Sequence, residues 1–189
     1  MSLPASGPEH ARQVPAGKAP SAAVGIDAVG PVVVVSDAGP LIALGRLDLL
    51  QVLGALFSEV QVPEVVVAEC MARPGNPDAQ RIRQALDSGL LLACTAPPGL
   101  LAGLEAGESA AINRALDLGA ALLMDERAGR QRALALGLAV TGTLGVLVRA
   151  RRRSLVGPLA PLVAALRASG QRFSHAAVAH ALAALGEAA

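Results

Sequence analysis

The sequence predicts an α/β fold in which helices cover both faces of a parallel sheet. Short β-branched or apolar runs alternate with segments of about ten residues at helical spacing, the pattern of right-handed β-α-β units. The first run, "VVVV" at 32–35, ends in Asp37 and then Gly-Pro, as a buried strand closed by a turn would. Of 189 residues 53% are hydrophobic and 16% charged, enough to build one domain with a real core.

The elements follow in order. Residues 1–30 are rich in Pro, Ala, Gly and Ser without sustained periodicity, which predicts a flexible tail ahead of a single domain at 31–189. Val32–Val35 predicts a strand, and Pro40–Phe57 one or two helices with leucines at helical spacing. "EVQVP" predicts a strand, and "EVVVAECMA" a helix with Pro63 at its first position. "NPDAQRIRQALDSG" has an Asn or Asp start and a Gly stop, hence a helix. "LLLACTA", "AALLMD" and "LAVTGT" predict strands, with helices over "GESAAINRALDLG" and "ERAGRQRALALG" between them. From Leu144 onward the pattern is helical, broken near Gly157-Pro158 and Phe173-Ser174.

Composition excludes several classes of function. Phe57 and Phe173 are the two aromatic residues, so base stacking on an aromatic platform is not available. Cys70 and Cys94 form no CxxC pair, which argues against a zinc site or a disulfide framework. No stretch reaches the roughly 18–20 apolar residues that span a bilayer, and the N-terminus lacks the plan of a signal peptide. A soluble cytoplasmic protein is expected. The formal net charge of +1 hides an asymmetry. Glu59 to Glu126 carries ten acids against four arginines, whereas Arg127 to Arg172 carries nine arginines and no acid. An acidic middle before a basic last third suits a metal-dependent enzyme acting on a polyanion; two solvated faces explain it equally well.

Four acids stand out. In open parallel sheets ligands bind beyond the carboxyl ends of the strands, and Asp37 and Asp125 each follow a predicted strand. A helix follows each as well, so an N-cap role is the rival reading. Glu108 lies in the first turn of its helix on the face of Ala111, Ile112, Ala115 and Leu116, opposite Asp117. By the same geometry Glu69 shares a face with Val65, Val66 and Ala72 and is expected to point inward, whereas Glu64 is an ordinary first-turn acid. An oxygen-only set of Asp37, Glu69, Glu108 and Asp125 suits a hard ion such as Mg²⁺ or Mn²⁺. His175 and His180 are five apart, off a common helix face.

In "VVSDAGPLIALGRLDLL", "VPEVVVAEC" and "LEAGESAAINRALDLGAALLMDERAGRQRALALGLAVTGTLGVLVRA", taken in that order, the sequence resembles the PIN-domain superfamily of metal-dependent ribonucleases. Within it the sequence resembles the VapC-like toxins and their relatives, over residues 32 to about 180. The resemblance implies a three-layer sandwich with a parallel sheet of order 3-2-1-4-5, extended by C-terminal helices. It places the family's four acids on Asp37, Glu69, Glu108 and Asp125, with Glu126 as an outer ligand. It also implies RNA phosphodiester hydrolysis at one or two Mg²⁺ or Mn²⁺ ions, and a small antitoxin partner. The third acid is Glu where many VapC toxins have Asp, a departure that bears on the number of direct ligands.

Arg149, Arg151, Arg152 and Arg153 form the densest basic cluster, and Arg130 follows closely on Asp125. Phosphate contact is one reading of these five; for the cluster the rival is a solvated helix end, and for Arg130 a structural ion pair. On a helix the cluster spreads around the circumference, so it cannot serve one groove as a whole. "PLIALGRLDLLQVLGALF" is a candidate homodimer or antitoxin surface, with a core role as the rival. A haloacid-dehalogenase-type phosphatase would need a second Asp at position 39, which is Gly, and no GxGxxG follows the first strand. The remaining alternative is a PIN-like module that binds RNA or protein without cutting.

Overall fold

Five short strands position everything else. The computed structural model describes residues 32–187, so the tail expected at 1–30 lies outside it. Strands β1 (Val33–Ser36), β2 (Glu59–Pro63), β3 (Leu92–Cys94), β4 (Ala121–Leu123) and β5 (Val140–Thr141) pair in parallel in the order β3-β2-β1-β4-β5. The connecting helices are α1 (Ala38–Arg46), α2 (Gln51–Leu56), α3 (Glu64–Cys70), α4 (Pro77–Asp87), α5 (Ala106–Leu118) and α6 (Arg127–Ala135). Then come α7 (Thr143–Arg152), α8 (Leu159–Ala168) and α9 (His175–Ala183).

Side chains alternate across the pleat, and both faces are covered. Val34, Val60, Val62 and Leu123 join one core cluster with Leu41 and Leu44 of α1 and Leu53 of α2. Val35, Leu122 and Met124 join a second cluster with Ala111, Ile112 and Ala115 of α5. This is the three-layer sandwich and the strand order expected. The leucines of α1 and α2 thus belong to the core rather than to an exposed docking face.

The expected elements are all present, with shifted ends. Between α1 and α2 the chain breaks at Asp48, which takes a left-handed φ of 58° that cannot continue a helix. Pro63 ends β2 and holds the N-cap position of α3, rather than the first helical position, because the strand runs straight into the helix. The run 90–96 pairs only over Leu92–Cys94, at the sheet edge, where Leu92 is exposed. Residues 169–174 separate α8 from α9, a longer break than the sequence pattern indicates.

The C-terminal helices belong to the same core: Val146, Leu147, Leu159, Val163, Leu166, Val178 and Leu182 are buried in the first cluster. Polar ties hold them in place. Arg151 Nε donates to Glu187 Oε1 at 2.9 Å, and the Leu159 amide donates to Glu187 Oε2 at 2.7 Å. Among the described residues no helix is long and apolar enough to cross a membrane.

Leu123 is fully buried in the strand that leads to Asp125. Leu123→Ala should therefore cost about 2–5 kcal/mol, read as a lower urea midpoint at unchanged m-value.

Candidate active site

Strands β1 and β4 are neighbours, yet each is connected in sequence to strands on its own side. The gap between their carboxyl ends is the topological switch point of the sheet. Asp37 is the residue after β1, and its amide donates to Leu123 O at 2.9 Å. Asp125 lies two residues beyond β4, and a Cβ built on Gly39 would lie 3.6 Å from Asp125 Cβ. The sheet therefore brings together two acids that are 88 positions apart in the chain.

From α3 and the start of α5 come the other carboxylates. A cleft of about 420 Å³ is lined by Asp37, Glu69, Glu105, Glu108, Asp125 and Glu126, together with Gln171 from the α8–α9 connection. All four acids of the expected set, and Glu126, thus border one cavity, whereas Glu64 does not. Glu105 and Gln171 escaped the sequence reading. Glu105 had a signal, since Glu-x-x-Glu at 105–108 opens a helix; Gln171 had none.

Each acid is held differently. Asp37 occupies the N-cap position of α1, but its side chain makes no capping bond. It is only 6% exposed, and burial pushes its pKa up to about 7. The Ala38 amide opposes that shift, while Glu69, Glu108 and Asp125 add to it by repulsion. Asp125 does not cap α6, whose N-cap is Glu126. Instead Asp125 accepts the Thr143 amide at 2.8 Å and the Thr143 hydroxyl at 2.5 Å, thereby capping the first turn of α7 from another segment. Its pKa is raised by burial, with the two Thr143 bonds and the charge of Arg130 pulling the other way.

Glu108 closes a capping box: its Oε2 accepts the Glu105 amide at 2.9 Å. Its Oε1 is buried with no hydrogen-bond partner. The face expected for Glu108 is observed at Ala111, Ile112 and Ala115, but Leu116 is 41% exposed. Glu69 departs from expectation: it is exposed, as is Val65, because α3 buries Val66 and Cys70 at i and i+4 and leaves Glu69 on the flank. That flank borders the cleft. Partial desolvation of its carboxyl group at the cleft wall raises the Glu69 pKa, with Glu105 and Glu108 adding repulsion. Nearby, burial pushes the Cys70 thiol up to about 12, so it stays neutral.

Two glycines make room for the carboxylates. A Cβ on Gly142 would meet Asp125 Oδ1 at 2.5 Å and Met124 O at 3.3 Å; one on Gly107 would meet Glu69 Oε2 at 2.7 Å and lie 3.8 Å from Asp37 Oδ1.

The donor set is all oxygen, and the buried, unpartnered Glu108 Oε1 together with the raised Asp37 fits residues awaiting a cation. As the side chains stand, no three acid, histidine or cysteine groups among the described residues converge to enclose a metal ion.

The five arginines fall into two groups. Arg130, Arg149 and Arg152 line a second groove that shares Asp125 with the acidic cleft. Arg130 donates to Met124 O at 2.8 Å, and Arg149 lies over the Phe57 ring at 5.3 Å. Arg151 and Arg153 do not line that groove: Arg151 pairs with Glu187, and Arg153 donates to Ala55 O at 3.0 Å. His180 borders the groove, and both His175 and His180 are exposed.

A parallel sheet with carboxylates gathered at its switch point defines a class of acidic-site α/β proteins. The chain belongs to the PIN-domain family: the DUF3368 family model, described as a PIN domain, matches residues 33–187. PIN domains are a superfamily of nucleases. Among solved structures, a PilT N-terminus domain protein, SSO1118 from Sulfolobus solfataricus P2, aligns at 20% identity over 62% of this chain and 92% of its own, with a TM-score of 0.44. No curated protein matches.

Between about pH 4 and pH 7 the native state binds more protons at Asp37 than the unfolded chain, so metal-free stability falls as pH rises through that window. Asp37→Asn removes this cost, which is on the order of 4 kcal/mol. Its melting temperature in EDTA should exceed the wild-type value at pH 8, with the gap closing towards pH 4. Gly142→Ala should lower the melting temperature, because backbone and a gripped carboxylate block the Cβ. Gly107→Ala, whose one tight contact is with the far end of the exposed Glu69 side chain, should leave melting nearly unchanged while weakening Mn²⁺ affinity in calorimetry.

Proposed function

We propose that this chain is a Mg²⁺- or Mn²⁺-dependent endoribonuclease that hydrolyses RNA phosphodiester bonds at the acidic cleft, and that it acts as the toxin of a type II toxin–antitoxin pair. The observation that carries the reading is the meeting of Asp37, Glu69, Glu108 and Asp125 at the switch point, with Glu108 Oε1 buried and unpartnered.

In this reading Asp37, Glu69, Glu108 and Asp125 hold the cation, and Glu126 at the rim stands as an outer ligand. A bound Mg²⁺ or Mn²⁺ supplies the positive charge that acidifies an attacking water and stabilises the leaving oxygen. Asp37, half protonated near pH 7 without a cation, gives up its proton when one binds, so loading is favoured as pH rises. Thr143 fixes both oxygens of Asp125 and so orients its carboxylate before substrate arrives. The antitoxin role rests on the VapC-like segments of the sequence, with a small protein closing the cleft.

A specific observation favours a second reading, a PIN-like module that binds RNA or protein without cutting. Glu108 spends one oxygen on its own helix cap, and the acids do not enclose an ion as they stand.

The discriminating experiment is cleavage of a labelled RNA pool by purified protein with Mn²⁺ or Mg²⁺. Activity should vanish in EDTA and in Asp37→Asn; cleavage surviving both would overturn the metal site, and no cleavage of any pool would favour the binding module. Induction in cells should arrest growth, and co-expression of a small neighbouring gene product should relieve it.

A further inference from the structure

The groove beside the acidic cleft is larger than the cleft, at about 850 Å³, and its charged groups, set around an apolar floor, are of the opposite sign. Arg127, Arg130, Arg152, Arg172 and His180 line it, and Asp125, the wall it shares with the cleft, is the one acid among its lining residues. Its sides are α6, the β5–α7 segment and α9, so it exists only because the C-terminal helices fold back onto the sheet edge.

The two compartments are joined by the α8–α9 connection. Gln171 borders the acidic cleft, and the next residue, Arg172, borders the basic groove. The connection is tied down. The Gln171 amide donates to Leu166 O at 2.9 Å, Arg46 reaches Ser169 O at 3.1 Å, and Phe173 packs against the core. A ligand leaving the cleft past Asp125 therefore meets a fixed edge bearing a cation.

The arginines are arranged to hold anions. Arg130 and Arg152 each spend a terminal nitrogen on a main-chain carbonyl, Met124 O at 2.8 Å and Ala184 O at 3.1 Å, which orients guanidinium groups that have five N–H donors. Arg127 and Arg172 are exposed at the rim. Phe173, partly packed against the core, and His180 are the only rings among the described residues on its lining, so its grip on a polyanion falls mainly on charge.

We propose that this groove holds the backbone of a single RNA strand and leads it over the Gln171–Arg172 edge into the acidic cleft. The proposal rests on the nuclease reading for its direction, but the grip itself is independent of cutting. A polyanionic chain fits better than a protein partner because the charged groups around the groove's apolar floor are arginines with a single acid, and because the groove adjoins the candidate site for a phosphodiester across Asp125.

The test is fluorescence anisotropy with a labelled single-stranded oligoribonucleotide, using the Asp37→Asn chain in EDTA over a series of salt concentrations. Arg127→Ala and Arg172→Ala should each weaken binding several-fold and flatten the slope of log K against log salt by about 0.7. Arg132→Ala, on α6 but outside the groove, should change neither. Unchanged affinity and slope in the Arg127→Ala/Arg172→Ala double variant would overturn the groove, even where the wild-type chain cleaves RNA. Displacement by polyglutamate as effective as by an oligonucleotide of equal charge would also overturn it, in favour of an acidic protein partner. Arginine-dependent binding by a chain that cuts nothing would leave the groove standing and remove the nuclease reading.

Discussion

The burial of Asp37 beside other carboxylates at the edge of the sheet is the constraint on which the rest of the site depends. Burial at the end of a central strand is what chiefly raises the Asp37 pKa, and the charges of Glu69, Glu108 and Asp125 add to it. Like charges in a partly dry cleft are costly unless something offsets them. The protein tolerates the arrangement because the surrounding framework is rigid. β1 is paired on both sides, and its valines are locked into the two cores, so the edge cannot relax to separate the acids.

The two aspartates show how one edge yields two environments. Asp125 is gripped by Thr143 and sits beside a guanidinium, whereas Asp37 has an amide on one side and three acids on the other. Asp125 is therefore a carboxyl group oriented by Thr143 and partly compensated by Arg130, and Asp37 is the acid surrounded by the most like charge. Glycines at 107 and 142 belong to the same design. A methyl at either place would occupy space the carboxylates need.

The C-terminal third has two jobs that the arginine-rich composition blends together. Some arginines are structural: Arg151 clamps Glu187, and Arg153 reaches back to the end of α2. Others border the groove next to the acids. The helices that these ties hold in place also deliver Gln171 and Arg172 to the site, so the extension is as much a part of the cleft's surroundings as the sheet is.

Much of this was legible in the residues. The alternation of strands and helices, the both-faces burial and the acids after β1 and β4 follow from local pattern, because a strand's end and a helix's face are properties of a few consecutive residues. The expected inward aim of Glu69 was wrong in detail for the same reason: helical periodicity names a shared face, but not which part of that face the neighbours cover. Tertiary packing decided that Val66 and Cys70 take the buried stripe and Glu69 the flank. Packing also decided that Asp125 is bound by Thr143 rather than capping its own helix, that Glu105 and Gln171 join the cleft, and which arginines are spent on carbonyls. Each of these depends on segments far apart in the chain meeting at one edge, and no window of sequence contains both partners.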